Sequence, residues 1–154
     1  ENSSNMDIWG FETAPNVQTL SKEWNKKTSV WLTRYVYYRT NGNLIAVYGT
    51  SAFWHGFYPG YYFFFLSIPL VTYCERLGRK KISPHFPKGK WTLYGICCIL
   101  ATSFIIEYMV ITFVMLAGDR SWDAWKSHYF IGHILVVLFI IVVSLIPGPK
   151  KKKE

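Results

Sequence analysis

Two long apolar blocks in the second half of the chain restrict what it can fold into. Residues 91–117 contain one charged residue, Glu107, and residues 129–146 contain none. Each block is long enough to cross a hydrocarbon core of roughly 30 Å as a helix that rises about 1.5 Å per residue. Because the hydrophobicity is concentrated in such blocks, a water-soluble fold is not expected. The sequence predicts an all-α, multi-span helical membrane protein.

The positive charges lie beside the apolar segments. The formal net charge is +8, which would also suit a nucleic-acid-binding protein. Its lysines and arginines, however, form clusters at Lys22 to Arg39, at 76–90 and at 150–153. Such placement is typical of membrane orientation by the positive-inside rule. We therefore expect the lipid bilayer, and no nucleic acid, as a partner.

The succession of polar, basic and apolar stretches predicts a single domain. A basic stretch next to a span marks the cytosolic side, and a balanced loop marks the lumenal side. The segments predicted on this basis are a polar loop (1–16), an amphipathic interfacial helix (17–40), broken or re-entrant membrane helices (43–74), a basic cytosolic loop (75–90), a transmembrane helix (91–117), a lumenal loop (118–128), a second transmembrane helix (129–147) and a basic cytosolic tail (148–154).

The stretch 43–73 is too long and too interrupted to be one span. As a single helix it would measure roughly 46 Å, which exceeds the thickness of a bilayer core. Its middle holds polar groups and helix breakers, among them His55, Gly56, Pro59 and Gly60. Since both flanks are basic, we expect the segment to enter and return as two half-helices, with His55 near the turning point.

His55 is the candidate chemical centre within that break. A histidine inside a membrane segment needs polar partners or a water-filled cavity. Breakers and the aromatic residues Trp54, Tyr58 and Tyr61 surround it in the sequence. These residues alone leave two interpretations open, a structural core histidine and a functional one. The cysteines Cys74, Cys97 and Cys98 lack the spacing of a metal site, so no metal is expected.

Three ordered motifs closely resemble the C-terminal half of the membrane-bound O-acyltransferases, and within them the lysophospholipid acyltransferase branch. The first is Ser21-Lys22-x-Trp24-Asn25-x-x-Thr28, and the second is Trp54-His55-Gly56-x-Tyr58-Pro59-Gly60-Tyr61. The third is Trp125-x-x-x-Tyr129-Phe130-x-x-His133, with Trp125 where that branch has tyrosine. An upstream Arg-x-Lys-Tyr-Tyr motif of relatives is absent, so we expect this chain to be the C-terminal part of a longer one.

The resemblance implies transfer of a fatty acyl group from acyl-CoA, as co-substrate, to the free hydroxyl of a lysophospholipid. It implies no bound cofactor. By this similarity His55 and Asn25 are the catalytic residues, His55 as general base and Asn25 as a partner that orients the imidazole or binds the oxyanion. Substrate contacts are expected at Trp24, Trp54, Tyr58, Pro59, Gly60 and Tyr61, and CoA phosphate contacts at Lys22, Lys26 and Lys27.

Two other functions remain alternatives at this stage. One is acylation of a protein or sterol hydroxyl by another branch of the same superfamily. The other is a non-enzymatic channel or transporter element, since broken half-helices also form transporter sites. Lysines three and four positions from the C-terminus match a dilysine retrieval signal, and positive-inside anchoring explains them equally well. Together with the cytosolic tail that the charge pattern predicts, they favour the endoplasmic reticulum. Headgroup preference, acyl-chain preference and oligomeric state do not follow from the sequence.

Overall fold

The computed structural model describes residues 4–147, and the regular structure within them is helical, as expected. Eight α-helices run through this part of the chain, with a π-helical turn at Thr33–Tyr37 and a 3₁₀ turn at Ser83–His85. The helices are α1 (Ile8–Glu12), α2 (Val17–Trp24), α3 (Lys26–Leu32), α4 (Leu44–His55), α5 (Pro59–Lys81), α6 (Leu93–Met115), α7 (Gly118–Ser127) and α8 (Ile131–Leu145).

Side-chain oxygens cap several of the helix starts. Asn16 accepts the N–H of Thr19 at 2.9 Å at the start of α2, and Asn43 accepts that of Ala46 at 3.2 Å. Asp7 caps α1 by accepting the N–H of Gly10 at 2.9 Å. That hydrogen bond holds the pKa of Asp7 below its usual range. Short polar side chains thus set the helix boundaries by satisfying free N–H groups.

The amphipathic stretch 17–40 is divided, where the periodicity predicts one helix. The break falls at Asn25, whose φ of −145° departs from helical geometry. Its side chain instead bonds to the backbone of the next turn, an alternative that asparagine offers more readily than most residues. The predicted polar loop 1–16 also contains a short helix, α1.

The predicted break within 43–74 lies between α4 and α5. Gly56 ends α4 with φ of +127°, a value that glycine adopts without steric cost, and Pro59 is the first residue of α5. The two helices pack against each other. Helix α5 continues to Lys81, so the first part of the predicted loop 75–90 is helical.

Among residues 4–147 one helix, α6, is by itself long and apolar enough to cross a membrane, with a mean hydropathy of 2.1 over an 18-residue window. Helix α8 has 15 residues, or roughly 22 Å, and meets the same criterion only together with α7, from which it is bent by 65°. The bend follows from the left-handed backbone of Tyr129 and Phe130. The predicted lumenal loop 118–128 is therefore mostly helix, and the predicted span 129–147 is shortened. The predicted tail 148–154 lies outside the described residues.

The core lies where α5 packs against α6 and α8. Ile68 and Val71 of α5 and Met109 of α6 are almost completely buried there. Val17, at the start of α2, is 1% exposed and belongs to the same cluster. The short N-terminal helices are thus attached to the bundle through the first residue of α2.

Candidate active site

A cavity of about 860 Å³ lies between the N-terminal helices and the bundle. Residues of α2, α3, α4, α5 and α6 line it. Both predicted catalytic residues, His55 and Asn25, are on its wall, as are Trp24 and Trp54. Two residues separated by 30 positions are therefore brought to one cavity, since α2 packs against α5 and the π-helical turn that follows α3 packs against α4.

His55 is the last residue of α4, and its side chain is exposed although it contacts four aromatic rings. Its imidazole stacks on Phe65 with centroids 5.0 Å apart, and Phe113 meets it edge-on at 5.2 Å. Tyr61 and Trp54 lie at 5.6 and 5.7 Å. Within residues 4–147, neither ring nitrogen of His55 has a hydrogen-bond partner. The ring is held by packing, and its nitrogens stay available to a ligand.

Asn25 joins α2 to α3, and its amide oxygen is already engaged. That oxygen accepts the N–H of Thr28 at 3.2 Å and the side-chain N–H of Asn5 at 2.8 Å. The network fixes which end of the amide is oxygen. The NH₂ group, which carries two donors, makes no hydrogen bond within residues 4–147. In the described residues Asn25 and His55 share a cavity without bonding to each other directly.

The cavity wall combines an apolar interior with positive charges. Its charged lining residues are Lys22, Lys27 and Arg76, all cationic. The apolar part is formed by α5 and α6 and includes Phe64, Phe65, Ile68, Ile106, Val110 and Phe113. Such a surface suits a ligand that has a long hydrocarbon chain at one end and anionic groups at the other.

Several residues predicted to contact substrate lie elsewhere. Tyr58, Pro59, Gly60 and Tyr61 do not line the cavity, although Tyr61 contacts the His55 ring. Gly60 instead donates its N–H to Leu116 O at 2.8 Å, where α5 touches the end of α6.

Lys26 is also outside the lining. Its ammonium group pairs with Glu23 at 3.2 Å and with Asp7 at 3.7 Å.

Sequence reasoning missed most of the lining residues, among them Phe65, Phe113 and Arg76. Phe65 follows Tyr61 by four positions, which would place both on one face of a helix, so helical spacing offered a signal. Phe113 comes from a different helix, and Arg76 was assigned to membrane orientation. Neither of these two has a local sequence signal.

His133, in the third motif, sits in a separate cluster. Its Nδ1 lies 3.0 Å from the Tyr108 hydroxyl and its Nε2 lies 3.4 Å from the Ser67 hydroxyl. The Trp125 ring packs on it with centroids 4.5 Å apart. His133 therefore joins α8 to α5, α6 and α7, away from the cavity. Glu107 is exposed on α6, and no partner for it occurs within 4–147.

The fold, with the long apolar helix α6, and a cavity with apolar and cationic walls are compatible with a helical membrane protein. Comparison with known families gives a specific assignment. Residues 1–117 match MBOAT, the membrane-bound O-acyltransferase family. The chain belongs to this family, which confirms the resemblance carried by the motifs.

Similar proteins have phospholipid-related names. The chain is 35% identical to the membrane-bound glycerophospholipid O-acyltransferase 1 of Mus musculus over 98% of its own length and 31% of that protein. It is 33% identical to the glycerophospholipid O-acyltransferase 2 of Rattus norvegicus, over 97% of the chain and 29% of that protein. The lysophospholipid acyltransferase of Saccharomyces cerevisiae is also 33% identical, over 97% of the chain and 26% of that protein. The chain thus spans about three-tenths of the length of the relatives it matches.

Proposed function

We propose that the protein is a lysophospholipid O-acyltransferase that moves a fatty acyl group from acyl-CoA to the free hydroxyl of a lysophospholipid. The observation that carries the proposal is the presence of His55 and Asn25 on one cavity with apolar and cationic walls. The names of the similar proteins support the same substrate class.

His55 acts as the general base in this proposal. Its free ring nitrogen accepts the proton of the glycerol hydroxyl while that oxygen attacks the thioester carbonyl carbon. The new C–O bond forms, the C–S bond breaks, and the imidazolium returns its proton to the departing thiolate of CoA. Because the hydroxyl attacks directly, no acyl-enzyme is needed.

Asn25 stabilises the tetrahedral intermediate. Its amide oxygen is occupied by Asn5 and Thr28, so the group that it presents to the cavity is the NH₂ donor. A donor matches the developing negative charge on the thioester oxygen, and one such donor contributes roughly 3–4 kcal/mol to transition-state stabilisation. The occupied oxygen favours this role over orienting the imidazole.

Different parts of the cavity wall bind different parts of the substrates. The apolar surface of α5 and α6 accommodates the acyl chains, and exclusion of water there protects the thioester from hydrolysis. Lys22, Lys27 and Arg76 hold phosphate groups. Lys26 lies outside the lining and pairs with Glu23 and Asp7, so the proposed phosphate contacts do not include it.

We also propose that the protein lies in the endoplasmic reticulum membrane with a cytosolic C-terminus. The support comes from the basic stretch 75–90 and from the dilysine pattern at Lys151 and Lys152. Replacing both lysines by serine is expected to move a fluorescently tagged protein out of the endoplasmic reticulum. Unchanged localisation would contradict the retrieval signal.

The function is tested with the full-length protein in membranes, given labelled acyl-CoA and a panel of lysophospholipids. Wild type is expected to form labelled phospholipid and His55→Ala to form none. The matched control is His85→Ala, which removes an exposed histidine outside the cavity. Full activity of His55→Ala would refute the mechanism. Labelling of protein or sterol acceptors in place of lysophospholipids would refute the substrate class.

A further inference from the structure

One buried contact joins the N-terminal helices to the bundle. The carboxylate of Glu75, on α5, accepts the N–H of Val17 with both oxygens, at 2.9 and 3.1 Å. Val17 is the first residue of α2, where the N–H groups lack helical partners and the helix dipole favours an anion. Glu75 is half-buried, and Arg79, Arg76 and Tyr48 are its charged and titratable neighbours.

Helix α2 connects this contact to the candidate active site. It has eight residues, so it is a rod of roughly 12 Å with Val17 at one end and Asn25 immediately after the other. At the Asn25 end, the chain bonds to the preceding segment, through Lys26 N to Asn5 O at 2.9 Å. Among the described residues, the backbone of α2 donates to the bundle at Glu75, and the Ser21 side chain of α2 also bonds to that of Tyr48 on α4.

We propose that Glu75 is a positioning residue for acyl transfer. By fixing the start of α2 on α5, it sets where Asn25 stands relative to His55 across the cavity. It touches neither substrate nor His55, since it is not among the cavity lining. The inference rests on the proposed function, because it assigns Glu75 to the placement of the oxyanion donor.

A double-mutant cycle tests this role in the full-length protein. Glu75→Ala is expected to lower kcat for lysophospholipid acylation by roughly ten- to a hundredfold, as a small misplacement of a catalytic donor does. The KM for acyl-CoA is expected to change little. Combined with Asn25→Asp, which removes the donor, Glu75→Ala should cost almost nothing further, because both changes disable one group. If the fold-reductions in kcat of the two single variants multiply in the double variant, the proposal is overturned.

Val17→Pro tests the same bond from its other side. Proline lacks the N–H, is favoured at the first position of a helix, and follows Asn16, whose backbone is extended. The variant therefore removes the donor to Glu75 and keeps α2. It is expected to reproduce the fall in kcat of Glu75→Ala, with no further loss when both are combined. A wild-type kcat in Val17→Pro would overturn the proposal. This test stands by itself even if Glu75→Ala does not fold.

A readout without catalysis separates this inference from the proposed function. Glu75→Ala is expected to speed hydrogen exchange of the amides of residues 25–28, and unchanged exchange would overturn the positioning role. Glu12→Ala, which removes an exposed carboxylate of α1, is the control and should change neither exchange nor kcat. A wild-type protein inactive on every lysophospholipid would refute the proposed function, while the exchange measurement would still decide the positioning role.

Discussion

The imidazole of His55 stacks on the ring of Phe65, with centroids 5.0 Å apart and planes inclined by 27°. Phe65 is 9% exposed, so it belongs both to the core and to the cavity wall. Because the nitrogens of His55 have no partner within 4–147, this contact and those of Phe113 and Tyr61 fix the direction of the ring. Packing against aromatic rings therefore orients His55, the general base that we propose.

Phe65→Ala is expected to lower both stability and kcat. Removing a buried phenyl ring costs roughly 3–5 kcal/mol, and the released imidazole loses its orientation toward the hydroxyl. Phe65→Leu, which retains most of the volume, should recover most of the stability but less of the kcat. Thermal unfolding in detergent and acylation kinetics measure the two effects.

The control for Phe65→Ala is Phe104→Ala, which removes an exposed ring from α6. It should leave both quantities near those of wild type. A Phe65→Ala enzyme with normal kcat would show that His55 is oriented by other means.

Asn25→Asp separates the two uses of the Asn25 side chain. Aspartate retains an oxygen to accept the N–H of Thr28, so α3 keeps its cap and the unfolding temperature should change little. It has no NH₂ donor, so kcat is expected to fall by about 100- to 1,000-fold. Asn25→Ala should lose the cap as well, and so unfold at a lower temperature. Near-normal kcat in Asn25→Asp would exclude the oxyanion role.

Local patterns were sufficient to predict much of the fold. The apolar run of α6, the cap at Asn16 and the break after His55 follow from hydrophobicity, from side-chain hydrogen bonding and from the conformational freedom of Gly56. Each depends on residues within a few positions of one another. Such features can be read from a single sequence.

Other features depend on competition between side-chain and helical backbone hydrogen bonds, or on packing between residues that are distant in the sequence. The hydrophobic face of 17–40 continues across Asn25, so periodicity predicts one helix although the Asn25 side chain ends it. Arg76 and Phe113 reach the cavity only because α5 and α6 pack beside α4. Glu75 is one acid within a basic stretch, and its role follows from a hydrogen bond to Val17, which is 58 positions away.

Gly60→Ala is expected to weaken the contact between α5 and α6. A Cβ at Gly60 would collide with the carbonyl oxygen of Thr112 and lie 3.0 Å from the backbone of Leu116. Backbone atoms yield poorly, so the overpacking should cost roughly 1–3 kcal/mol and lower the unfolding temperature. The position would then be required for close helix packing.

Gly49→Ala is the matched control, since a Cβ there meets nothing within 4 Å. Alanine inside α4 should raise stability by roughly 0.5–1 kcal/mol. Equal unfolding temperatures for the two variants would contradict the close approach at Gly60.

His133→Ala is expected to reduce stability more than catalysis. The change leaves the Tyr108 and Ser67 hydroxyls without their common partner and removes the ring that packs on Trp125. Breaking such a network typically costs roughly 1–3 kcal/mol. Because the cluster lies away from the cavity, the protein that remains folded should keep its kcat and its KM for acyl-CoA. Tyr108→Phe, which removes one hydroxyl, should show a smaller fall in unfolding temperature, and a loss of kcat at normal stability would instead place His133 in the reaction.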